Sequence, residues 1–310
     1  MKLSRLNNDD IKLKNPVVTI GSYDGVHLGH KKIIEKITND AKAINGDSAI
    51  ISFDPHPRLV LSQNTSFEFK VLSTIKEKEQ LLEKCGIDCL YLIAFDENFA
   101  SWSALKFIEE ILIKKLNVSK VIIGYNHRFG NNREGDIRFL EKIGKQFDFE
   151  VEEIPKQLID EITVSSSKIR ILIQNCQIKE ANYLLGHNYS FEGQVCHGQK
   201  LGGKLGFPTA NIQIKDIHKL IPGDGVYAIK ASFNNTSIDG MMHIGHKPSL
   251  NTSKHSIEAH LFNFNQDIYN ETLCIQCIDY IRPNKRFENL DALKAQLAED
   301  KISCVNILSN

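Results

Sequence analysis

Two histidines three residues apart, His27 and His30, follow the turn Gly21-Ser22-Tyr23-Asp24-Gly25. That spacing puts both on one face of a first helical turn. A histidine pair there can donate hydrogen bonds to phosphate oxygens as charge builds in a transition state. Glycines let the backbone approach a phosphate closely, and a helix N-terminus attracts anions. Gly21, Asp24, Gly25 and Gly29 are therefore the candidates to line a nucleotide. No Gly-Lys-Ser/Thr follows, so this is not the phosphate loop of the Walker type.

A second constellation lies far downstream. Gly198 and the run Gly202-Gly203-Lys204-Leu205-Gly206-Phe207-Pro208-Thr209-Ala210-Asn211 can wrap phosphates with backbone N–H groups. Thr209 and Asn211 alternate on an extended segment and so point the same way. A hydroxyl and a carboxamide oxygen can ligate Mg²⁺ beside the phosphates of ATP. Taken alone, this stretch reads equally as a glycine-rich loop before an edge strand, and Glu258 as a carboxylate on a solvated strand face.

The elements that must position these groups differ between the two halves. In the first half, apolar β-branched runs (Val17–Ile20, Ala49–Phe53, Cys89–Ile93, Lys120–Ile123) alternate with helical stretches at His27–Ala43, Ile75–Cys85 and Leu105–Leu116. Continuous apolar runs suit parallel strands buried on both faces, the pattern of an open α/β sheet of Rossmann-like form. After Leu185-Gly186-His187 the period changes. Ser190–Val195, Gly225–Ala231, Met241–Ile244, Ser256–Phe264 and Thr272–Ile281 predict antiparallel strands, and Leu290 to about Ile302 a last amphipathic helix. This is the pattern of a small antiparallel β-barrel with a terminal helix. The predicted domains are 1–185 and 186–310.

Bulk properties narrow the function classes. The 310 residues are 42% hydrophobic and 25% charged, as in a globular protein. Lys+Arg and Asp+Glu both number 38, so no global charge draws the chain to nucleic acid or to an anionic membrane. No run approaches the roughly 20 apolar residues of a membrane span, and Met1–Pro16 has no signal-peptide core. The seven cysteines are odd in number and lack paired zinc knuckles. Buried thiols in a reducing cytoplasm are expected, with oligomeric state left open.

With the elements in place, the first constellation resembles the nucleotidylyltransferase superfamily, in its flavin-nucleotide synthetase branch. Ser52-Phe53-Asp54-Pro55-His56-Pro57, Ile123–Gly130 with Arg133–Asp136, and Val164–Arg170 resemble further segments of that branch, in the same order. Leu205-Gly206-Phe207-Pro208-Thr209-Ala210-Asn211 resembles riboflavin kinase, as do Pro222–Ala228, Glu258 and Arg282–Phe287. The whole chain is thus similar to the bacterial bifunctional riboflavin kinase/FAD synthetases.

The resemblance implies phosphorylation of riboflavin to FMN by ATP in the C-terminal half and adenylylation of FMN to FAD in the N-terminal half. Riboflavin, FMN and ATP are the implied small-molecule partners, with Mg²⁺ as cofactor. It implies that His27 and His30 stabilise the adenylyl transition state and that Asn126 and Arg128 line the flavin and nucleotide. Ser166, Ser167, Lys168 and Arg170 would grip a triphosphate at a helix start, as hydroxyls and cations there can. Gly198, Gly206, Pro208 and Arg282 would line the kinase site, Thr209 and Asn211 hold the metal, and Glu258 act as base. Ser22, Tyr23, Lys168, His243 and Ser249 depart from the family's usual residues. Rival expectations are retention of only one activity, a flavin-binding module without catalysis, and an adenylyltransferase for another substrate.

Overall fold

The structure is a computed structural model that describes residues 1–5, 12–61, 68–125, 127–155, 164–198, 201–234, 236–246 and 255–309. It divides into two compact units, Met1–Ser165 and Ser166–Asn310.

The first unit carries a six-stranded sheet in the order β1-β4-β3-β2-β5-β6. The strands are β1 (Lys2–Arg5), β2 (Val17–Ile20), β3 (Ser48–Asp54), β4 (Cys89–Ala94), β5 (Lys120–Gly124) and β6 (Glu150–Ile154). All pairs are parallel. The helices are α1 (Leu28–Ala43), α2 (Pro57–Leu61), α3 (Ile75–Lys84), α4 (Glu97–Ala100), α5 (Ala104–Phe107) and α6 (Ile137–Phe147). Successive strand residues point to opposite faces, so the apolar runs feed two cores. Val17, Ile50, Leu90 and Ile122 pack with Ile34, Ile37 and Leu82 on one side. Val18, Ile51, Tyr91 and Val121 pack with Phe107, Ile108 and Leu112 on the other. Each such apolar side chain, fully buried, contributes roughly 1.5–3 kcal/mol.

The sequence expects one α-helix over Leu105–Leu116. The structure has α5 followed by a π-helix, Ile108–Lys115. The amide of Leu116 bonds to the carbonyl of Ile111 at 3.0 Å, five residues back. Apolar spacing marked the buried face, but that face does not specify the hydrogen-bond register.

The second unit is a closed antiparallel barrel in the order β10-β11-β8-β7-β12-β9. Its strands are β7 (Tyr189–Cys196), β8 (Ala210–Gln213), β9 (Gly225–Phe233), β10 (Thr236–His246), β11 (His255–Leu261) and β12 (Thr272–Arg282). Closure removes the free edges of a sheet. The remaining helices are α7 (Ser166–Gln174), α8 (Ile178–Leu185), α9 (Leu201–Lys204) and α10 (Leu290–Leu308). Helix α10 runs past the expected end at Ile302 because Asp300, Cys304 and Leu308 continue one buried stripe at four-residue spacing. Helices α7 and α8, which precede the sequence-derived boundary at 186, fall in the second unit. Helix α8 is tied there by Asn182, whose Nδ2 donates to the Cys277 carbonyl at 2.9 Å and whose Oδ1 accepts from the Tyr189 amide at 2.7 Å.

Candidate active sites

In an open α/β sheet, ligands bind beyond the carboxyl ends of the strands, where the strand order reverses. Here β2 has β3 on one side and β5 on the other. The chain steps from β2 to β3 and β4, then crosses back to β5, so the reversal lies between β2 and β5. The turn after β2 holds Gly21–His27 and the turn after β5 holds His127–Gly130. Topology therefore brings two of the sequence motifs to one crevice.

His27 is the N-cap of α1, and its Nδ1 accepts the His30 amide at 3.3 Å. An accepting Nδ1 puts the proton of neutral His27 on Nε2. The two rings stack with centroids 3.6 Å apart and an interplanar angle of 15°. The pair thus shares a face, as its spacing required. Burial first, and then the charges of His27 and Lys78, hold His30 well below the usual histidine range. His30 is a neutral imidazole at pH 7.

The turn is strained and pinned. Tyr23 and Val26 adopt φ of +47° and +41°, in the left-handed region where branched or bulky residues are rare. Such conformations cost of order 1–3 kcal/mol each and persist only where the surroundings impose them. The constraint comes from Asp24, whose carboxylate accepts the amides of Leu72 (2.9 Å) and Ser73 (3.0 Å). The Gly25 amide donates to Ser73 Oγ at 3.0 Å, and the Tyr23 hydroxyl donates to Thr19 Oγ1 at 2.9 Å. That last bond gives the hydroxyl of the variant Tyr23 a buried partner. Gly21 closes the strand end through its amide to the Ile51 carbonyl at 3.0 Å, and Gly29 is buried in α1.

Beyond β5, Arg128 pairs with Asp136 at 2.9 Å, and Asp136 caps α6 by accepting the Phe139 amide. Burial, and then the charge of Arg133, push His127 down to about 4. Asn126 lies outside the described residues, as does Ser249. Ser166, Ser167 and Lys168 lie in the first turn of α7, and the buried Arg170 follows in the second.

In the barrel, register does the positioning. Glu258 on β11 sits opposite Asn211 of β8 and opposite His243 of β10. Thr209 Oγ1 donates to Glu258 Oε2 at 3.2 Å. A Cβ added to Gly198 would stand 2.0 Å from the Asn211 carboxamide, so that glycine is required by close approach. Gly206 takes φ +85°, a turn conformation suited to glycine. The Pro208 carbonyl accepts a hydrogen bond from His260 Nδ1–H at 2.7 Å, which fixes the tautomer of that ring. Arg282 forms a two-point ion pair with the buried Asp300 of α10, at 2.8 and 2.7 Å. A cleft of about 340 Å³ opens beside Pro208, Thr209 and Tyr269.

The donor set fits Mg²⁺. Thr209 and Asn211 offer hard, neutral oxygen ligands, and among the described residues no group of three or more His, Cys, Asp or Glu offers a competing metal cage. A metal held by few protein ligands together with substrate phosphates is the usual magnesium arrangement.

A family model described as FAD synthetase matches residues 9–168, and one described as riboflavin kinase matches 185–308. The chain belongs to the bifunctional riboflavin kinase/FMN adenylyltransferase family. Within it, the protein of Buchnera aphidicola is 42% identical, covering 92% of both chains. That of Listeria monocytogenes is 35% identical over 93% of this chain and 90% of its own. A crystal structure described as a macrolide-efflux protein from Streptococcus pneumoniae has a TM-score of 0.86 and 29% identity, covering 98% of both chains. No helix among the described residues here is long and apolar enough to cross a membrane.

Three residues tied to the candidate sites of this bifunctional chain escaped the sequence. Lys78 of α3 is buried at 3% exposure, Asp300 is the partner of Arg282, and His260 anchors Pro208. Only His260 left a signal, two residues beyond Glu258 and so on the same strand face.

Proposed function

We propose that the chain makes FMN and then FAD at two separately built ATP sites, one per activity. The observation that carries this is the coexistence of the stacked His27/His30 pair at the β2/β5 crevice and the Thr209–Glu258 contact in the barrel.

In the kinase half, residues 186–310, Glu258 takes the proton of the ribityl 5′-hydroxyl as that oxygen attacks the γ-phosphorus of ATP, and ADP leaves. A primary hydroxyl is a weak nucleophile, so a placed carboxylate is effective. Its existing bond to Thr209 keeps it beside the residues that would hold the metal. Thr209 and Asn211 are the ligands for Mg²⁺, which supplies charge neutralisation of the phosphates when bound. Gly198, Gly206 and Pro208 shape the phosphate loop. Arg282, held by Asp300, orients the flavin end.

In the adenylylation half, residues 1–185, the FMN phosphate attacks the α-phosphorus of ATP and pyrophosphate leaves. The nucleophile is already ionised, so positioning and charge stabilisation dominate. His27 donates from Nε2–H, and the neutral His30 ring backs it. Gly21, Gly25 and Gly29 admit the phosphate, while Asp24, committed to the amides of Leu72 and Ser73, shapes the turn. Asn126, Arg128, Ser166, Ser167, Lys168 and Arg170 are assigned to nucleotide and flavin contacts by resemblance, and Lys168→Ala tests that grip through a raised KM for ATP.

Balanced charge and small-molecule substrates support a cytoplasmic enzyme that uses neither nucleic acid nor membrane. Incubating the purified chain with riboflavin, ATP and Mg²⁺ should give FMN and then FAD on chromatography. Formation of neither overturns the proposal, and FMN alone restricts it to the kinase.

A further inference from the structure

Lys78 is a buried ammonium that the reactions above do not use. It is 3% exposed, and Ser52 beside it is 0% exposed. Moving an ammonium out of water costs several kcal/mol even after relaxation, so a lysine in this place needs a reason. Burial holds Lys78 below the ordinary lysine range, and the opposite charges of Asp24 and then Asp54 counter it in part. Its hydrogen bond runs from Nζ to Ser52 Oγ at 3.2 Å. Ser52 Oγ in turn donates to the carbonyl of Ser22 at 3.2 Å.

The direction of this relay is fixed by chemistry. An ammonium only donates, so Ser52 must accept from it and commit its own proton to Ser22. The Ser22 carbonyl is thereby turned toward β3. A trans peptide is planar, with its carbonyl and N–H pointing opposite ways. The Tyr23 N–H therefore points away from β3, and β5 lies on that side of β2. That is the crevice where the strand order reverses. The left-handed φ of Tyr23 belongs to the same peptide setting.

We propose that Lys78 and Ser52 are positioning residues of the adenylylation site, which lock the Ser22–Tyr23 peptide so that its N–H is a fixed donor to the phosphate chain of the bound nucleotide. The inference rests on the adenylylation site lying at the β2/β5 crevice. Lys78 has a second effect through space, because its charge opposes protonation of His30.

The test uses the full chain, with FAD formation from supplied FMN and Mg-ATP as the readout and riboflavin phosphorylation as the internal control. Ser52→Ala and Lys78→Met should each lower kcat for adenylylation by ~10²-fold, the usual loss for a misplaced anion donor. KM for FMN should stay within about twofold, since the locked donor faces the nucleotide phosphates, and the kinase rate should not change, since neither residue lies in the barrel. The double variant should be no slower than the slower single, because both act through one peptide. Lys78→Met should also move the acid limb of the adenylylation pH profile upward, as His30 then protonates more readily, whereas Ser52→Ala should leave that limb in place. A kcat within twofold of wild type in both variants overturns the proposal, as does a multiplicative loss in the double. If Lys78→Met fails to fold, Ser52→Ala, which removes only a hydroxyl, decides by the same criteria. Failure of the wild-type chain to make FAD would instead remove the site assignment itself.

Discussion

His27 commits its Nδ1 to capping α1, while His30 lies stacked on it and is kept uncharged. The two histidines therefore have different duties. His30→Ala removes the ring that holds His27 in its plane, and should lower kcat for FMN adenylylation by ~10²–10³-fold with riboflavin phosphorylation intact. Steady-state rates for the two reactions measured on one preparation check this. The charge state of His127 also bears on stability. Its value of about 4 lies below the ordinary histidine value of 6.5. The folded chain then binds fewer protons than the unfolded chain as pH falls between those two values. Stability is accordingly full above about pH 6.5 and is lost progressively down to about pH 4, by up to ~3 kcal/mol. Denaturant unfolding of the His127→Gln variant should lack that part of the acid-side loss. An unchanged slope against pH would show that His127 titrates normally.

Gly130 shows how one element constrains another. Its φ is +76°, and a Cβ there would stand 2.6 Å from the backbone nitrogen of Ala104 at the start of α5. The Ala104 amide is already engaged by Glu134 Oε1 at 2.7 Å, and the Asn131 amide by the Trp102 carbonyl at 2.8 Å. Gly130→Ala should thus destabilise the first unit by roughly 2–4 kcal/mol, seen as a lower midpoint in its thermal transition, and a midpoint shift under about one degree would contradict the contact. What the sequence disclosed of such elements followed apolar patterning. Strands β2 to β5 were legible because they are buried on both faces. Strands β1 and β6 were not, because Lys2–Arg5 and Glu150–Ile154 are charged edge strands with few apolar residues, the composition that protects an exposed edge. Glycine, histidine and the threonine–asparagine pair marked the candidate sites through spacing. Lys78, Asp300 and the bonds of Asp24 to the Leu72 and Ser73 amides did not, since each acts on a residue far away in sequence, and such pairing is created only by the fold.

At the scale of the whole chain, the groups proposed for the two chemistries have no member in common. The partners given above for His30 lie within Met1–Ser165, and those given above for Glu258 lie within Ser166–Asn310. Glu258→Gln keeps the shape of the carboxylate but cannot accept a proton, so it should reduce FMN formation by ~10²–10⁴-fold while adenylylation of supplied FMN continues at the wild-type rate. His30→Ala should show the reverse. Mixed in one tube with riboflavin, ATP and Mg²⁺, the two variants should together make FAD, because the His30 variant still releases FMN and the Glu258 variant still consumes it. The time course should show FMN rising first and FAD following after a lag that shortens as enzyme concentration increases, since the intermediate must cross solution between chains. If the mixture accumulates FMN and never forms FAD, although each variant retains its own single reaction, then FMN reaches the adenylylation site only from the kinase half of the same molecule, and the independence argued from the two sets of partners does not hold.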